Sequence, residues 1–298
     1  MMKKKSVVLC ALFFLLLAAF AGWIFIAEEK KECNPLCFIP PDRSEQVSFV
    51  VLHHFSSSLE EAISNFNKFG FSTHYIIDTE GKVTVIVPEN KIAWHAGVSF
   101  WHGEESLNRV SIGIELQHDD FGQTPFSKKQ IAALKSLLKG IIERYNIRPE
   151  NIVGHSDIAP DAKPDPGKAF PWQELAQGGM GLWYDINDAD KMENYSVKEL
   201  LDIIGYNTKG DDLISSAYAF RRRFLPEQVA YEPDMAARGD AIFNARLKAS
   251  SLPREQREAA LKDVPRIHPE DDGTFLTDTL FIKTLRAVAY SYKKARGN

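Results

Sequence analysis

Two histidines, an aspartate and a glutamate stand inside or at the ends of apolar runs in this chain. His53 ends Phe49-Val-Val-Leu-His53, and His155 follows Asn151-Ile-Val-Gly. Asp165 closes the proline-studded loop His155-Ser-Asp-Ile-Ala-Pro-Asp-Ala-Lys163-Pro-Asp165-Pro-Gly. Two imidazoles and one carboxylate make a three-ligand set that leaves a fourth zinc position open. Glu115, within Ser111-Ile-Gly-Ile-Glu115-Leu, is an acid in a strand-like apolar stretch, as a buried general base would be. Lys163 would hold an ammonium near the oxyanion that develops when water attacks an amide carbonyl. The set reads as a zinc hydrolase, in which the metal lowers the pKa of water and a nearby carboxylate accepts the proton. Competing chemistries lack their motifs: there is no Gly-x-Ser-x-Gly elbow and no His-Glu-x-x-His helix.

Each of these residues also has an ordinary explanation. A histidine at a strand end packs or faces solvent, an aspartate before Pro-Gly forms a turn, and a strand acid pairs or is solvated. Their joint order and the surrounding text carry the reading. The stretches Val50-Val-Leu-His53, Ser72-Thr-His74-Tyr75, Ala93-Trp-His95-Ala-Gly97, Leu107-Asn108, Ser111-Ile-Gly-Ile-Glu115, Pro149-Glu-Asn-Ile-Val-Gly-His155 and Asp165-Pro-Gly occur in sequence. From Val47 to about Asp185 this set resembles the zinc-dependent N-acetylmuramoyl-L-alanine amidases of the type 2 amidase, or peptidoglycan-recognition, fold. It is similar in particular to the membrane-attached periplasmic branch, which carries a second, peptidoglycan-binding domain.

The resemblance implies Zn2+ as cofactor, with His53, His155 and Asp165 as its ligands. It implies Glu115 as the catalytic acid/base and Lys163 as the cation that stabilises the transition state. His74, His95 and Asn108 match positions beside the active site and along the substrate groove. Peptidoglycan or a muropeptide is the implied partner. The chain departs from the family at His54, where an aromatic residue is more usual. Neighbouring strand residues point to opposite faces, and His53 is the one in register with the motif. Related phage-type amidases carry cysteine at the third ligand and a tyrosine near His74, where this chain has Asp165 and Thr73. Two other readings are a non-catalytic recognition module on the same fold and an unrelated metal-dependent peptidase. The first generally lacks a ligand that this chain keeps, and the second needs a pattern such as His-x-His, which is absent.

The elements that must position these residues follow from pattern. Val47 to His54, Thr73 to Ile77, Lys82 to Val87 and Val110 to Leu116 read as strands. Ser58-Leu-Glu-Glu61 and Ser127-Lys-Lys-Gln130 are capping-box patterns. The first opens a helix that Gly70 stops, and the second a long helix with Ile131, Leu134, Leu138, Ile141 and Tyr145 on one face. The expected class is α/β, a mixed central β-sheet flanked by helices, followed by an all-α C-terminal region.

Lys3-Lys-Lys5 precedes an uncharged stretch from Ser6 to Ala27, long enough to cross a bilayer, with the basic end favouring the cytoplasm. Residues 1–27 are therefore expected to be a transmembrane anchor and 28–45 a tether. The catalytic region would then face the periplasm from the cytoplasmic membrane. Ala19-Phe-Ala21 resembles a signal cleavage site, but the apolar run continues past it. Cys33 and Cys37 are close enough for a local disulfide in an oxidising compartment. The net charge of −4 argues against nucleic acid as a partner.

Residues 46–186 are expected to form the amidase domain, with a polar acidic linker at Asp185-Ile-Asn-Asp-Ala-Asp190. Beyond it, Leu200-Leu201 before Gly205-Tyr206, and Ala217, Phe220 and Arg221-Arg-Arg-Phe224, resemble a small helical peptidoglycan-binding domain over residues 191–230. The three arginines read as a solvated basic end, since consecutive residues cannot share a helix face. Residues 231–298 read as further helices broken at Pro253 and Pro265, without a readable role. The oligomeric state is not legible.

Overall fold

The computed structural model describes residues 35–209, 212–229 and 273–297, with scattered residues between 238 and 256. The expected membrane anchor, residues 28–34 of the tether and, with them, Cys33 lie outside the described residues. Among the described residues no helix is long and apolar enough to cross a membrane. The described residues from Phe38 onward form one compact unit.

At its centre is a five-stranded sheet in the order β3-β2-β6-β1-β7. The strands are β1 (Phe49–Phe55), β2 (Tyr75–Ile77), β3 (Val83–Val85), β6 (Ser111–Gln117) and β7 (Ile152–Gly154). A separate hairpin pairs β4 (Phe100–Trp101) with β5 (Glu104–Glu105). β1 runs parallel to both β6 and β7, β2 is parallel to β6, and only β3 is antiparallel. The run Phe49-Val-Val-Leu is apolar without alternation because a parallel central strand is covered on both faces. Val50, Leu52, Ile112, Ile114 and Leu116 pack on the long helix α2 (Lys128–Tyr145) through Ile131, Leu134, Leu138 and Ile141. Phe49, Val51 and Val153 join a second apolar cluster on the other face. That period of two sends Ser111, Gly113 and Glu115 away from α2, to the side of the sheet where His53 also points.

The caps come out as one full box and one half. Ser58 Oγ accepts from the Glu61 N–H at 3.2 Å and Glu61 accepts from the Ser58 N–H, opening α1 (Leu59–Phe69). Gly70 closes it at φ 73°, a left-handed turn that a side chain would strain. Ser127 caps α2 by accepting from the Gln130 N–H, but the reciprocal half of the expected box is absent. The Gln130 amide instead donates to the carbonyls of Ile77 and Gln117, at 3.0 and 2.9 Å. Those carbonyls leave strand ends that need a donor inside the protein, and that demand outweighs a local cap bond.

The segment expected as a linker is a 3-10 helix, Ile186–Met192, with Ala189 and Met192 buried. Beyond it lie α5 (Val197–Ile204), α6 (Asp212–Phe224) and α7 (Thr279–Ala295), following α3 (His155–Ile158) and α4 (Trp172–Gln177). Leu200, Leu201, Ile204, Phe220, Phe281 and Leu285 are in the same apolar cluster as Phe49, Val51, Trp101 and Val153. The helices of 191–230 and α7 thus share a core with one face of the sheet. The basic stretch in α6 also departs from expectation. Arg222 and Arg223 are only 2 % and 3 % exposed. Arg223 lies flat over Trp172 at 3.9 Å and forms an ion pair with Asp157. Arg221 donates to the Gln228 carbonyl. A partner carboxylate far away in sequence turned a seemingly solvated charge inward.

Candidate active site

In open α/β sheets, ligand sites gather beyond the carboxyl ends of parallel strands. His53 lies near the end of β1, Glu115 near the end of β6, and His155 directly follows β7. The loop after α3 returns Asp165 to the same place, where the Ser156 N–H donates to the Asp165 carbonyl at 2.8 Å. Three donor atoms converge. His53 Nδ1 is 2.9 Å from His155 Nδ1, and each is 3.1 Å from Asp165 Oδ2. All three side chains are buried.

The protons in this cluster can be assigned by working backward from a group that only accepts. The Leu107 carbonyl takes the Ser111 hydroxyl proton at 2.6 Å, so Ser111 Oγ accepts from His95 Nε2–H at 3.1 Å. His95 is neutral, because burial, and next His53 beside it, push its pKa well below the usual value. Its Nδ1 is therefore an acceptor and takes His53 Nε2–H at 3.0 Å. Burial and the neighbouring His155 push the His53 pKa down to about 4, leaving it neutral with Nδ1 unprotonated. That bare nitrogen faces His155 and Asp165. Burial alone would raise the Asp165 carboxyl, yet His155 holds it well below the ordinary carboxylate range.

Three such atoms, about 3 Å apart, suit a small cation better than protons. Ligands at tetrahedral zinc distances lie about 3.3 Å from one another, close to the separations here. The donor set of two imidazole nitrogens and one carboxylate oxygen also matches zinc. The residues present therefore fit the metal.

Glu115 and Lys163 line a cavity of about 500 Å³ together with His155 and Asp165, and Phe66, Phe69 and Trp94 are also among its lining residues. Burial, and then the Asp165 carboxylate, push the Glu115 pKa well above its usual value, with Lys163 pulling the other way. One Glu115 oxygen is buried without a hydrogen-bond partner. Such an orphaned, elevated carboxyl in a cleft is a candidate for proton transfer.

The three residues expected along the substrate groove divide. Asn108 and His95 line the cavity. Asn108 Oδ1 also accepts from the backbone N–H groups of His95 and Ala96, fixing the loop that carries the His95 ring. His74 is wholly buried and is not among the cavity-lining residues, and its ring centroid lies 5.7 Å from that of His95. Its Nδ1 accepts from the Gly113 N–H and its Nε2 faces the Lys91 carbonyl, so it holds strands together. His54, beside His53, turns its ring to Phe121 at 5.9 Å and takes no place among the converging atoms.

Sequence reasoning passed over Ser111, the anchor of the His95 ring, and Gly113. A Cβ on Gly113 would lie 2.5 Å from the His95 ring, so the glycine is there to admit the imidazole. It also passed over Asp157, whose only signal was an acid two residues after a candidate ligand.

The comparisons agree with this geometry. Residues 43–168 match the family model described as N-acetylmuramoyl-L-alanine amidase. The chain is 35 % identical over 231 residues to the N-acetylmuramoyl-L-alanine amidase AmiD of Escherichia coli K12, covering 68 % of this chain and 83 % of that protein. The solved complex of AmiD from E. coli with the substrate anhydro-N-acetylmuramic acid-L-Ala-D-gamma-Glu-L-Lys matches 63 % of this chain and 83 % of its own, with a TM-score of 0.55 and 33 % identity. The crystal structure of AmpDh3 from Pseudomonas aeruginosa covers 85 % of this chain and 94 % of its own, with a TM-score of 0.60 and 26 % identity. The fold, the order of the site residues and these likenesses lead to one conclusion: the chain belongs to the N-acetylmuramoyl-L-alanine amidase family.

Proposed function

We propose that this protein is a zinc-dependent amidase that hydrolyses the bond between the lactyl group of N-acetylmuramic acid and L-alanine, in peptidoglycan or its fragments. The observation that supports it most is the convergence of His53 Nδ1, His155 Nδ1 and Asp165 Oδ2, with His155, Asp165 and Glu115 lining one cavity. His53, His155 and Asp165 would hold the zinc, which supplies Lewis acidity and lowers the pKa of water. Glu115, with its elevated pKa, takes the proton from water as the amide carbonyl is attacked and returns it to the departing amine. The Lys163 ammonium favours negative charge growing on the carbonyl oxygen. Phe66, Phe69 and Trp94 keep one wall of the cleft apolar, which excludes water from that side and strengthens each polar interaction within.

The test is product analysis. Soluble protein beginning after Ala27 is incubated with sacculi and with 1,6-anhydro-muropeptides, with and without zinc. Release of free stem peptides beginning with L-alanine, identified by mass and lost on chelation, is the expected result. Products cut elsewhere, or cleavage indifferent to chelation, would refute the reading.

The same proposal places the protein on the outer side of the cytoplasmic membrane, held by residues 6–27 and tethered by residues 28–45. The Lys3-Lys-Lys5 flank and the apolar run past Ala21 support it. N-terminal sequencing of the mature protein decides it, since a chain beginning at Gly22 would mean release as a soluble enzyme. The helices of residues 191–230 are assigned, on their sequence likeness, to contact with the glycan polymer. Pull-down of the full chain on purified sacculi, compared with the same chain carrying substitutions at exposed residues of α5, tests that assignment.

A further inference from the structure

The turn that presents His155 is gripped from outside the sheet region. Asp157, two residues on and 1 % exposed, has both carboxylate oxygens occupied. Oδ2 accepts from the Gly154 N–H at 2.8 Å and from Arg223 Nη1 at 2.5 Å, and Oδ1 accepts from the Tyr206 hydroxyl at 2.7 Å. Arg223 Nη2 also reaches the Ile152 carbonyl on β7 at 3.3 Å, while its face lies on Trp172. Gly154 has no spare room, since a Cβ there would lie 2.7 Å from Pro166 Cδ, next to Asp165. Asp157 thus brackets His155 with Gly154 on one side and helical-region donors on the other.

We propose that Arg223 and Tyr206 are positioning residues for zinc: by holding Asp157 they fix the turn that aims His155, so the C-terminal helices complete the metal site. The inference rests on the zinc-amidase reading above. Its physical basis is directional. A planar guanidinium presents its N–H groups in one rigid fork, and its two terminal nitrogens reach Asp157 Oδ2 and the Ile152 carbonyl of β7. A buried carboxylate deprived of such a partner moves to find water or another donor. Asp157 cannot move without dragging the backbone of His155 and of Ser156, the latter bonded to Asp165. Both ligands of the loop are therefore set by one distant arginine. A plain stabilising ion pair would lower the unfolding midpoint and leave metal affinity alone, which separates the two roles.

The experiment measures zinc affinity of the folded full chain by chelator competition, together with the visible spectrum of the cobalt-substituted protein. The variants are Arg223→Gln, Arg223→Lys and the milder Tyr206→Phe. Leu285→Ala, buried in the same helical core, serves as a control that lowers stability without touching the turn. Arg223→Gln is expected to weaken zinc binding about 10- to 100-fold, the usual effect of outer-shell partners, and to alter the cobalt bands. Tyr206→Phe should weaken binding less, and Arg223→Lys should recover part of the loss. Wild-type affinity and spectrum in folded Tyr206→Phe and Arg223→Gln proteins would overturn the proposal. An equal affinity loss in Leu285→Ala would overturn it too, by showing a general effect of stability. Zinc-loaded wild-type protein that cleaves no amide refutes the functional reading and leaves this comparison intact.

Discussion

His53 and Glu115 are register partners across the parallel strands β1 and β6, so the imidazole and the carboxyl leave the sheet on the same face, one strand apart. Parallel pairing of two adjacent strands is all that is needed to put a candidate metal ligand beside a candidate proton-transfer group. His155 joins them because β7 pairs with the other edge of β1.

Replacing His155 or Asp165 by alanine should abolish zinc retention and activity together. Either change removes one of three converging atoms and leaves too few for tight binding. Metal analysis of the purified variants checks it, and full zinc occupancy in both would end the ligand assignment. His53→Ala should behave likewise, whereas His54→Ala should retain the metal.

Glu115→Gln should keep zinc but lower turnover by roughly two to four orders of magnitude, the usual contribution of a positioned proton-transfer group. It should also make the metal-free protein more stable at neutral pH. The folded-state pKa of Glu115 is raised above its unfolded value near 4.5, so the stability it contributes is present below that pH and fades as pH rises. Denaturant unfolding at pH 7 measures the gain. A loss of stability in Glu115→Gln would contradict the sign.

Gly113→Ala should cost about 1–3 kcal/mol through overpacking, because the new methyl would sit 2.5 Å from the His95 ring. Displaced, that ring can no longer accept from His53, and zinc affinity should fall as well. Unfolding curves and chelator competition on one preparation check both effects. An unchanged protein would show that the ring has another place to go.

His74 predicts a pH slope. Burial, and next the Arg43 guanidinium, push its pKa down to about 3 from an unfolded value of 6.5. The unfolded chain therefore takes up a proton first as pH falls. Stability contributed by His74 is complete above about pH 6.5 and declines toward pH 3 at about 1.4 kcal/mol per pH unit. His74→Gln should remove that part of the slope between pH 6 and 4. A wild-type slope that persists undiminished would assign it to other groups.

How much of this was legible beforehand depended on range. Ser58 and Glu61 lie three residues apart, and their capping box could be read directly from the sequence. The period of a strand sends His53 and His54 to opposite faces, and register with the family motif picked out His53. Gln130 followed the same local rule and broke it, because Ile77 and Gln117, brought near by the fold, offered its amide two carbonyls. Arg223 broke the rule for charges in the same way, across the 66 residues that separate it from Asp157. Sequence spacing gave no sign of the depth of His74, which is wholly buried. Local chemistry declares itself in a sequence, whereas the partner of a buried polar group does not.

The apolar cluster that runs from Phe49, Val51 and Val153 into α5, α6 and α7 has a consequence for heredity. A gene fragment ending near residue 186 would encode a sheet with Phe49, Val51 and Val153 stripped of their helical cover, a sticky surface that invites aggregation. A tail recombined onto this sheet would have to bring an apolar face of matching shape to Phe49, Val51 and Val153.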